Sequence, residues 1–255
     1  MKKAGYLLFY LLIVTTKVIA QDDLFGGEKK TAKEGFLATF STSLDIPIAD
    51  MATRFGISNR VGPALYYKTE KNWMFGVKVD FIFGKQINEP GFLSNLLFSD
   101  GTLLNANGYR SSTTPLERGY IAAFEVGRIF SIKKSKPDNG ILVMTSIGFM
   151  QHKIFIANKA SDIPQLNEEY LKGYDRLANG ISFEQFVAYN HISNSDLVNF
   201  TIGINFTEGF TQGRRDYWFD VSKPGNDNRF DMLIGIKGNW YIPLYKRKSE
   251  DYYFE

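Results

Sequence analysis

Five charged residues stand in the middle of extended segments whose alternate positions are apolar. In the segment WMFGVKVDFIFG, 73–84, Lys78 and Asp80 lie on the strand face opposite Trp73 and Phe83, because successive side chains of a strand point to opposite sides. Unpaired charges in a water-poor interior would be costly, so we expect an internal ion-pair network. A narrow ion path is the alternative. The predicted network comprises Lys78, Asp80, Glu125, Glu184 and Lys237.

His152 is the one candidate for acid–base chemistry. Acyl hydrolysis would need a serine that loses its proton to this histidine and a carboxylate that orients the ring. Ser146 shares the face of His152 but lies about 20 Å away along a strand, so it cannot be the nucleophile. Another strand could supply one, although the sequence does not specify it. With two histidines and no cysteine, we expect no metal site, no cofactor and no catalytic residue.

The run GRRDYWFD, within a polar segment at 211–229, combines charge with aromatic area. Guanidinium groups bind phosphate or carboxylate, and aromatic side chains are enriched where proteins bind partners. This run is therefore the best candidate for an interaction site. The alternative is that the aromatic residues form a membrane girdle while the arginines pair with acids in neighbouring loops, for example Asp175. The candidate residues are Arg214, Arg215, Tyr217, Trp218 and Phe219.

A second candidate contact lies in the longest polar segment, 85–118. Its stretch GFLSNLLF places Phe92, Leu93, Leu96 and Leu97 at helical spacing, which predicts a short helix. Such a helix would cap the mouth of a barrel or meet a partner, with Phe92 and Leu96 as contact residues.

These residues must be positioned by strands, because the chain repeats the alternation of 73–84 eight times. An apolar face about 10 residues long with aromatic rims is what a strand crossing an outer membrane requires. A soluble calyx would place its apolar residues inside, and a sandwich has no reason to put every long loop at one end. The predicted strands are 35–45, 60–69, 73–84, 119–132, 141–156, 180–190, 197–210 and 230–245.

Long and short connections alternate along this series. The long ones are 46–59, 85–118, 157–179 and 211–229, and the others are short turns. In an outer-membrane barrel the short turns are periplasmic and the long loops extracellular. The sequence therefore predicts an all-β fold, an eight-stranded antiparallel up-and-down transmembrane β-barrel with long extracellular loops and both termini in the periplasm.

The ends of the chain carry separate signals. A basic start, an apolar run and the small-residue site before Gln21 predict a signal peptide over 1–20. Removing it takes away Lys2, Lys3 and Lys17 and no acid, so the formal charge falls from +3 to zero, which argues against nucleic-acid binding. The remaining divisions are a flexible periplasmic lead-in, 21–34, the barrel, 35–245, and a polar tail, 246–255. The absence of cysteine excludes a lipoprotein anchor and disulfides.

The pattern resembles small eight-stranded outer-membrane barrels of the OmpX and OmpW type. The stretches NWMFGVKVDFIFG, LKGYDRLANG and GFTQGRRDYWFD are similar to those of uncharacterised outer-membrane barrels of Bacteroidota. The resemblance implies location in a Gram-negative outer membrane, in contact with its lipid. We expect a non-enzymatic barrel with a filled lumen, whose loops make it a structural or accessory subunit of a larger outer-membrane or surface protein assembly. A narrow channel for small solutes or ions is the alternative, followed by a lipid-modifying enzyme.

Overall fold

A computed structural model describes residues 32–157, 163–193 and 198–244, so the predicted signal peptide, most of the lead-in and the tail lie outside the described residues. The described chain forms a closed antiparallel barrel of eight strands, which confirms the predicted fold. Among these residues no helix is long and apolar enough to cross a membrane. The strands of the barrel are β1 (Gly35–Ala49), β2 (Ser58–Lys68), β3 (Trp73–Gly84), β4 (Thr114–Lys133), β5 (Lys136–Ala157), β6 (Ala178–Ile192), β7 (Asn199–Gly213) and β8 (Asn228–Pro243). Two-residue strands in the connections, Leu103–Leu104 with Arg110–Ser111 and Tyr217–Trp218 with Lys223–Pro224, form two small separate sheets.

Each strand pairs with the next along the chain, and β8 closes the barrel on β1 in the register Leu37↔Pro243 to Ala49↔Asp231. Closure fixes which face of every strand points inward. In β3 the predicted apolar face points outward, with Trp73 exposed, while the neighbouring Met74 is fully buried. The same alternation holds in the other strands, so the apolar faces form the outer wall.

Several strand ends differ from the prediction. The first long loop is 50–57 rather than 46–59, because β1 continues through Pro47 with Ile46 and Ile48 on its outer face, and β2 begins earlier, at Ser58. Strand β4 begins at Thr114 instead of residue 119, and the charged turn expected at 133–140 is reduced to 134–135. Strand β8 ends at Pro243. In β4 and β5, the inter-strand hydrogen bonds extend beyond the part of each strand in which apolar side chains alternate.

The interior contains two apolar clusters with a charged layer between them. One cluster, near the end that carries the termini, includes Leu37, Tyr66, Met74, Phe186 and Tyr241. The other lies at the opposite mouth, where loop residues join residues of the strands. Members of this second cluster include Met51, Phe55, Ile82, Leu93, Leu103, Ile121, Met150, Ile154, Tyr174 and Leu233.

Candidate functional site

The Glu184 carboxylate lies at the centre of the charged layer. Its Oε1 is 2.7 Å from the Lys78 Nζ and 3.0 Å from the Lys237 Nζ. Its Oε2 accepts a hydrogen bond from the Arg60 Nη1 at 2.7 Å. One buried carboxylate thus neutralises part of the charge of three cations, which is the arrangement that makes buried charges tolerable.

Two further acids complete the set of residues predicted from sequence. Asp80 Oδ2 is 3.2 Å from the Lys78 Nζ and 3.5 Å from the Lys237 Nζ, and Glu125 Oε1 is 3.2 Å from the Lys78 Nζ. All five side chains are buried. The barrel therefore brings Lys78, Asp80, Glu125, Glu184 and Lys237 into one ion-pair cluster.

Sequence reasoning missed Arg60 and Asp45, which extend this cluster. Arg60 Nε and Nη2 donate to the two oxygens of Asp45 at 2.8 and 3.0 Å, a bidentate pair. Asp45 is the last residue of its predicted strand and Arg60 the first residue of the next, so both border the predicted loop. The sequence does indicate the direction of the Arg60 side chain: successive side chains alternate, so if Val61 points outward, Arg60 must point inward.

Neutral side chains supply the remaining hydrogen bonds of the layer. Ser41 donates to Asp80 at 2.7 Å, Asn205 to Asp45 at 2.8 Å and Thr207 to Glu184 at 2.9 Å. An eight-stranded barrel is just wide enough for its own side chains to fill it. These contacts from several strands fill the middle of this barrel.

His152 lies in a different part of the interior, nearer the loop end. Its Nε2 is 2.8 Å from Asp231 Oδ2, which also accepts a hydrogen bond from Thr211. The Phe55 ring packs edge-on against the imidazole, with the ring centroids 5.5 Å apart. Both His152 and Asp231 are fully buried. The orienting carboxylate of a hydrolytic triad is thus present beside His152.

In the described part of the chain no side chain is hydrogen-bonded to the imidazole as the nucleophile of that triad would be. Within the described ranges the other ring nitrogen, Nδ1, has no hydrogen-bond partner. Ser146 lies opposite Glu184 in the neighbouring strand and not near the imidazole. The described residues also contain no group of three side chains suited to hold a metal ion. What the geometry supports at His152 is a buried hydrogen-bonded pair.

Four connections, 50–57, 85–113, 163–177 and 214–227, pack together over this end of the barrel, and we call them the loop cap. Arg54 Nε and Arg176 Nε donate to the two oxygens of Glu89 at 3.1 and 2.8 Å. Arg176 Nη2 donates to Asp220 Oδ1 at 2.7 Å. The four residues come from the four different loops, so this network ties the whole cap together.

Trp218 lies inside this network. Its ring is 4.8 Å from the Arg176 guanidinium and 6.0 Å from that of Arg54, and the residue is only 4% exposed. Two cations facing one indole form cation–π contacts that are stronger when water is excluded. Trp218 therefore holds the loops together, and its side chain is too buried to contact a partner.

The other predicted loop residues divide between the two interpretations left open by the sequence. Arg215 donates to both oxygens of Asp175, at 2.9 and 2.5 Å, and these hydrogen bonds raise the pKa of Arg215 above its ordinary value. Arg214 is exposed and donates to Asn179 at 2.6 Å. Tyr217 and Phe219 are 44% and 40% exposed. Arg215 thus supports the cap, whereas Arg214, Tyr217 and Phe219 remain on its surface.

The prediction of a short helix around Phe92 is wrong. Residues 90–96 form successive turns, with Leu96 N bonded to Leu93 O at 2.9 Å, and Leu93 has a φ of 56° that no α-helix accommodates. Asp220 accepts the Leu93 N–H at 2.9 Å and anchors this unusual turn. Leu93 is buried, and Phe92 and Leu96 pack against the apolar cluster at the mouth. These residues close the barrel mouth without a helix.

An exposed group of rings, which we call the aromatic platform, forms where two loops meet. It consists of Tyr170, Tyr217 and Phe219, with centroids 6.2 Å apart for Tyr170–Phe219 and 6.5 Å for Tyr217–Phe219. Phe219 N donates to Gly173 O at 3.0 Å, and a Cβ at Gly173 would lie 2.1 Å from the Phe219 ring. A glycine is therefore needed beneath the platform. Sequence reasoning missed Tyr170, because only the loop packing brings it to Phe219.

The fold and interior together define a closed antiparallel barrel filled by its own side chains. No known protein-family model matches the chain, and no curated protein does. Among solved structures, the chain is similar to Ail, the attachment invasion locus protein of Yersinia pestis, solved with the heparin analogue sucrose octasulfate. The identity is 8%, the match covers 82% of this chain and 99% of that chain, and the TM-score is 0.44.

Two further solved barrels match at a similar level. Neisserial surface protein A shares 10% identity, with 81% of this chain and 96% of that chain covered and a TM-score of 0.40. The N-terminal β-barrel domain of Pseudomonas aeruginosa OprF shares 8% identity, with 82% and 99% covered and a TM-score of 0.36. All three neighbours are small outer-membrane barrels, and similarity this distant carries no information on what this chain binds. The resemblance to barrels of Bacteroidota stays a prediction.

Proposed function

We propose that this protein is a non-enzymatic barrel of a Gram-negative outer membrane that binds another outer-membrane or surface protein through its loop cap. In this role it is a structural or accessory subunit of a larger assembly. The observation that carries the proposal is the loop cap itself, in which ion pairs and a buried tryptophan fix four loops beneath an exposed aromatic platform.

The outer wall supports a membrane location. Soluble proteins rarely expose contiguous apolar patches larger than a few hundred Å². Here large apolar side chains surround the barrel, and Phe124 is 71% exposed. Lipid contact removes this surface from water. Exposed apolar residues of seven strands include Phe40, Leu44, Leu65, Phe81, Phe124, Ile147, Ile202, Ile204, Ile236 and Trp240.

The connections support an orientation. The turns at 69–72 and 134–135 lie at the same end of the barrel as Gly35 and Pro243, the outer ends of the first and last strands. The paired strand ends Ile192 and Asn199 lie there as well. The four connections of the loop cap lie at the other end. Outer-membrane barrels have short periplasmic turns and longer extracellular loops. We therefore place both termini in the periplasm and the loop cap outside the cell.

The aromatic platform supports protein binding. A rigid loop surface loses little conformational entropy on association, and tyrosine is among the residues that dominate binding energies. Tyr170 is 53% exposed and, like the other two rings, is already held in place by its neighbours. Arg214, three residues before Tyr217, adds an exposed cation to the same loop.

The test is extraction of the protein from outer membranes in mild detergent, followed by native-gel migration and chemical cross-linking. We expect a species larger than the monomer that is lost in the variant Tyr217→Ala/Phe219→Ala. Tyr109→Ala is the matched control, because Tyr109 is an exposed aromatic of the same loop cap outside the platform. Heat-modifiable migration confirms that each variant is a folded barrel. A monomer without any cross-linked partner contradicts the proposal.

A further inference from the structure

Three cations occupy adjacent strands on the outside of the barrel, at the rim below the loop cap. Arg118 of β4 and Lys153 of β5 are direct cross-strand partners. Phe83 of β3 is the partner of Arg118 on its other side, and Lys85 directly follows β3. We call Lys85, Arg118 and Lys153 the basic triad. Arg118 and Lys85 are exposed and Lys153 is partly exposed.

The basic triad lacks acidic partners. Like charges directly opposite each other on neighbouring strands are destabilising. Among the described residues no carboxylate lies within ion-pair distance of these three side chains, although most cations of the cap and interior have one. The nearest acid in sequence, Glu117, points into the barrel and accepts a hydrogen bond from Ser58. The cross-strand cations Arg118 and Lys153 therefore have no counter-charge within the described chain, and an anion from outside the chain would supply it.

The position of Arg118 is fixed by its own contacts. Its Nη1 donates to the Glu117 carbonyl at 2.8 Å, and its guanidinium lies 5.9 Å from the Phe155 ring. A guanidinium held in this way loses little freedom when it binds. Arginine and lysine side by side offer a fork of donors and a point charge, both of which suit phosphate oxygens.

The wall below the basic triad is apolar. Tyr120 and Phe149, on the same two strands, have their ring centroids 6.1 Å apart with the ring planes tilted by 42°. Further toward the periplasmic end lies a shallow depression of about 710 Å³ whose lining on β3, β4 and β5 includes Val77, Phe124 and Ile147. Acyl chains could lie along this wall while a headgroup contacts the cations, so one molecule would satisfy both surfaces.

We propose that the basic triad binds the phosphate of an acylated lipid in the outer leaflet of the membrane. The charge and the adjoining apolar wall together favour a lipid over a soluble anion, because a soluble anion has no apolar part that would contact the wall. This inference uses the membrane orientation proposed above but not the loop partner. The isolated barrel is sufficient to test it, so its failure leaves the loop-cap proposal standing.

The test is native mass spectrometry of the detergent-purified barrel titrated with diphosphoryl lipid A and, separately, with phosphate-free lipid A. We expect preferential binding of the phosphorylated lipid. Each basic residue near an anionic membrane surface contributes to the free energy of binding. We therefore expect Arg118→Gln/Lys153→Gln to bind the phosphorylated lipid roughly 25-fold more weakly. Heat-modifiable migration shows that the variant is folded, which is expected because both side chains lie on the outer surface.

The matched control is Arg128→Gln. Arg128 also faces outward, but it lies at the opposite rim, where it stacks on Trp73 and Phe130 at 5.4 and 5.6 Å. We expect its binding of lipid A to match the unmodified protein. Equal loss in both variants, or equal binding of the two lipids, overturns the proposal. Competition by millimolar inorganic phosphate also overturns it, since the occupant would then be a soluble anion.

Discussion

At the scale of single residues, Glu184 is the acid with the most charged partners in the described interior. It contacts Lys78, Lys237 and Arg60, which come from three other strands. Its position explains how a barrel can bury these cations, because a carboxylate shared between them replaces the water they lose. Loss of its charge should therefore affect the whole barrel.

We predict that Glu184→Gln destabilises the barrel by roughly 3–5 kcal/mol, because three buried cations lose a shared counter-charge. The measurement is the urea unfolding midpoint of the detergent-solubilised protein. Glu208→Gln is the control, since Glu208 lies on the outer face of β7 and forms no ion pair within the described part of the chain. Equal midpoints for the two variants would contradict this account of the interior.

His152 permits a second prediction at this scale. Replacing it with asparagine removes its hydrogen bond to the buried Asp231, which keeps Thr211 and Arg229 as partners, and losing one partner of a buried charged group destabilises a protein by about 1–3 kcal/mol. We expect a lower unfolding midpoint and unchanged acylation of membrane lipids in cells that carry His152→Asn. An altered lipid profile at normal protein levels would instead indicate a lipid-modifying enzyme.

At the scale of elements, two neighbouring aromatic residues in the loop cap have opposite roles. Trp218 is enclosed between Arg54 and Arg176, whereas Tyr217 is exposed. They belong to one short strand, Tyr217–Trp218, so successive side chains must point to opposite sides. The inward one ties loops together and the outward one is available to a partner.

We predict that Trp218→Ala loosens the loop cap, because truncating a buried aromatic to alanine costs about 3–5 kcal/mol. Limited proteolysis of intact cells should then cleave the loops faster, while heat-modifiable migration of the barrel is retained. Tyr217→Ala should leave proteolysis unchanged and reduce partner cross-linking. Equal protease sensitivity of the two variants would show that Trp218 does not hold the cap.

At the scale of the whole molecule, the barrel is obstructed at several levels. The mouth is closed by an apolar cluster, the middle by ion pairs, and the other half by a cluster that contains Tyr66 and Tyr241. We therefore predict that planar-bilayer recordings of the purified protein stay silent. Glu125→Gln/Lys237→Gln should be silent as well, because it removes two opposite charges with little loss of side-chain volume. Steady unitary currents would favour the channel alternative.

The alternation of side chains along the strands could be read from the sequence. A strand has a side-chain period of two, so Trp73, Phe75 and Val77 must share one face, and Lys78 with Asp80 must share the other. Eight such segments with alternating connection lengths determined the barrel, its strand order and which charges point inward. The ends of the strands could be predicted less well, because Pro47 interrupts the pattern although β1 continues to Ala49, and polar residues extend β2 back to Ser58.

Which side chains meet across the interior was decided only by the tertiary structure. Arg60 and Glu184 are 124 residues apart in sequence and on strands that are not neighbours, so their contact depends on the register of every strand pair between them. The same holds for Arg54, Arg176 and Trp218, which loop packing brings together. Sequence fixes the face of a strand through local geometry, whereas contacts between distant residues depend on closure of the barrel.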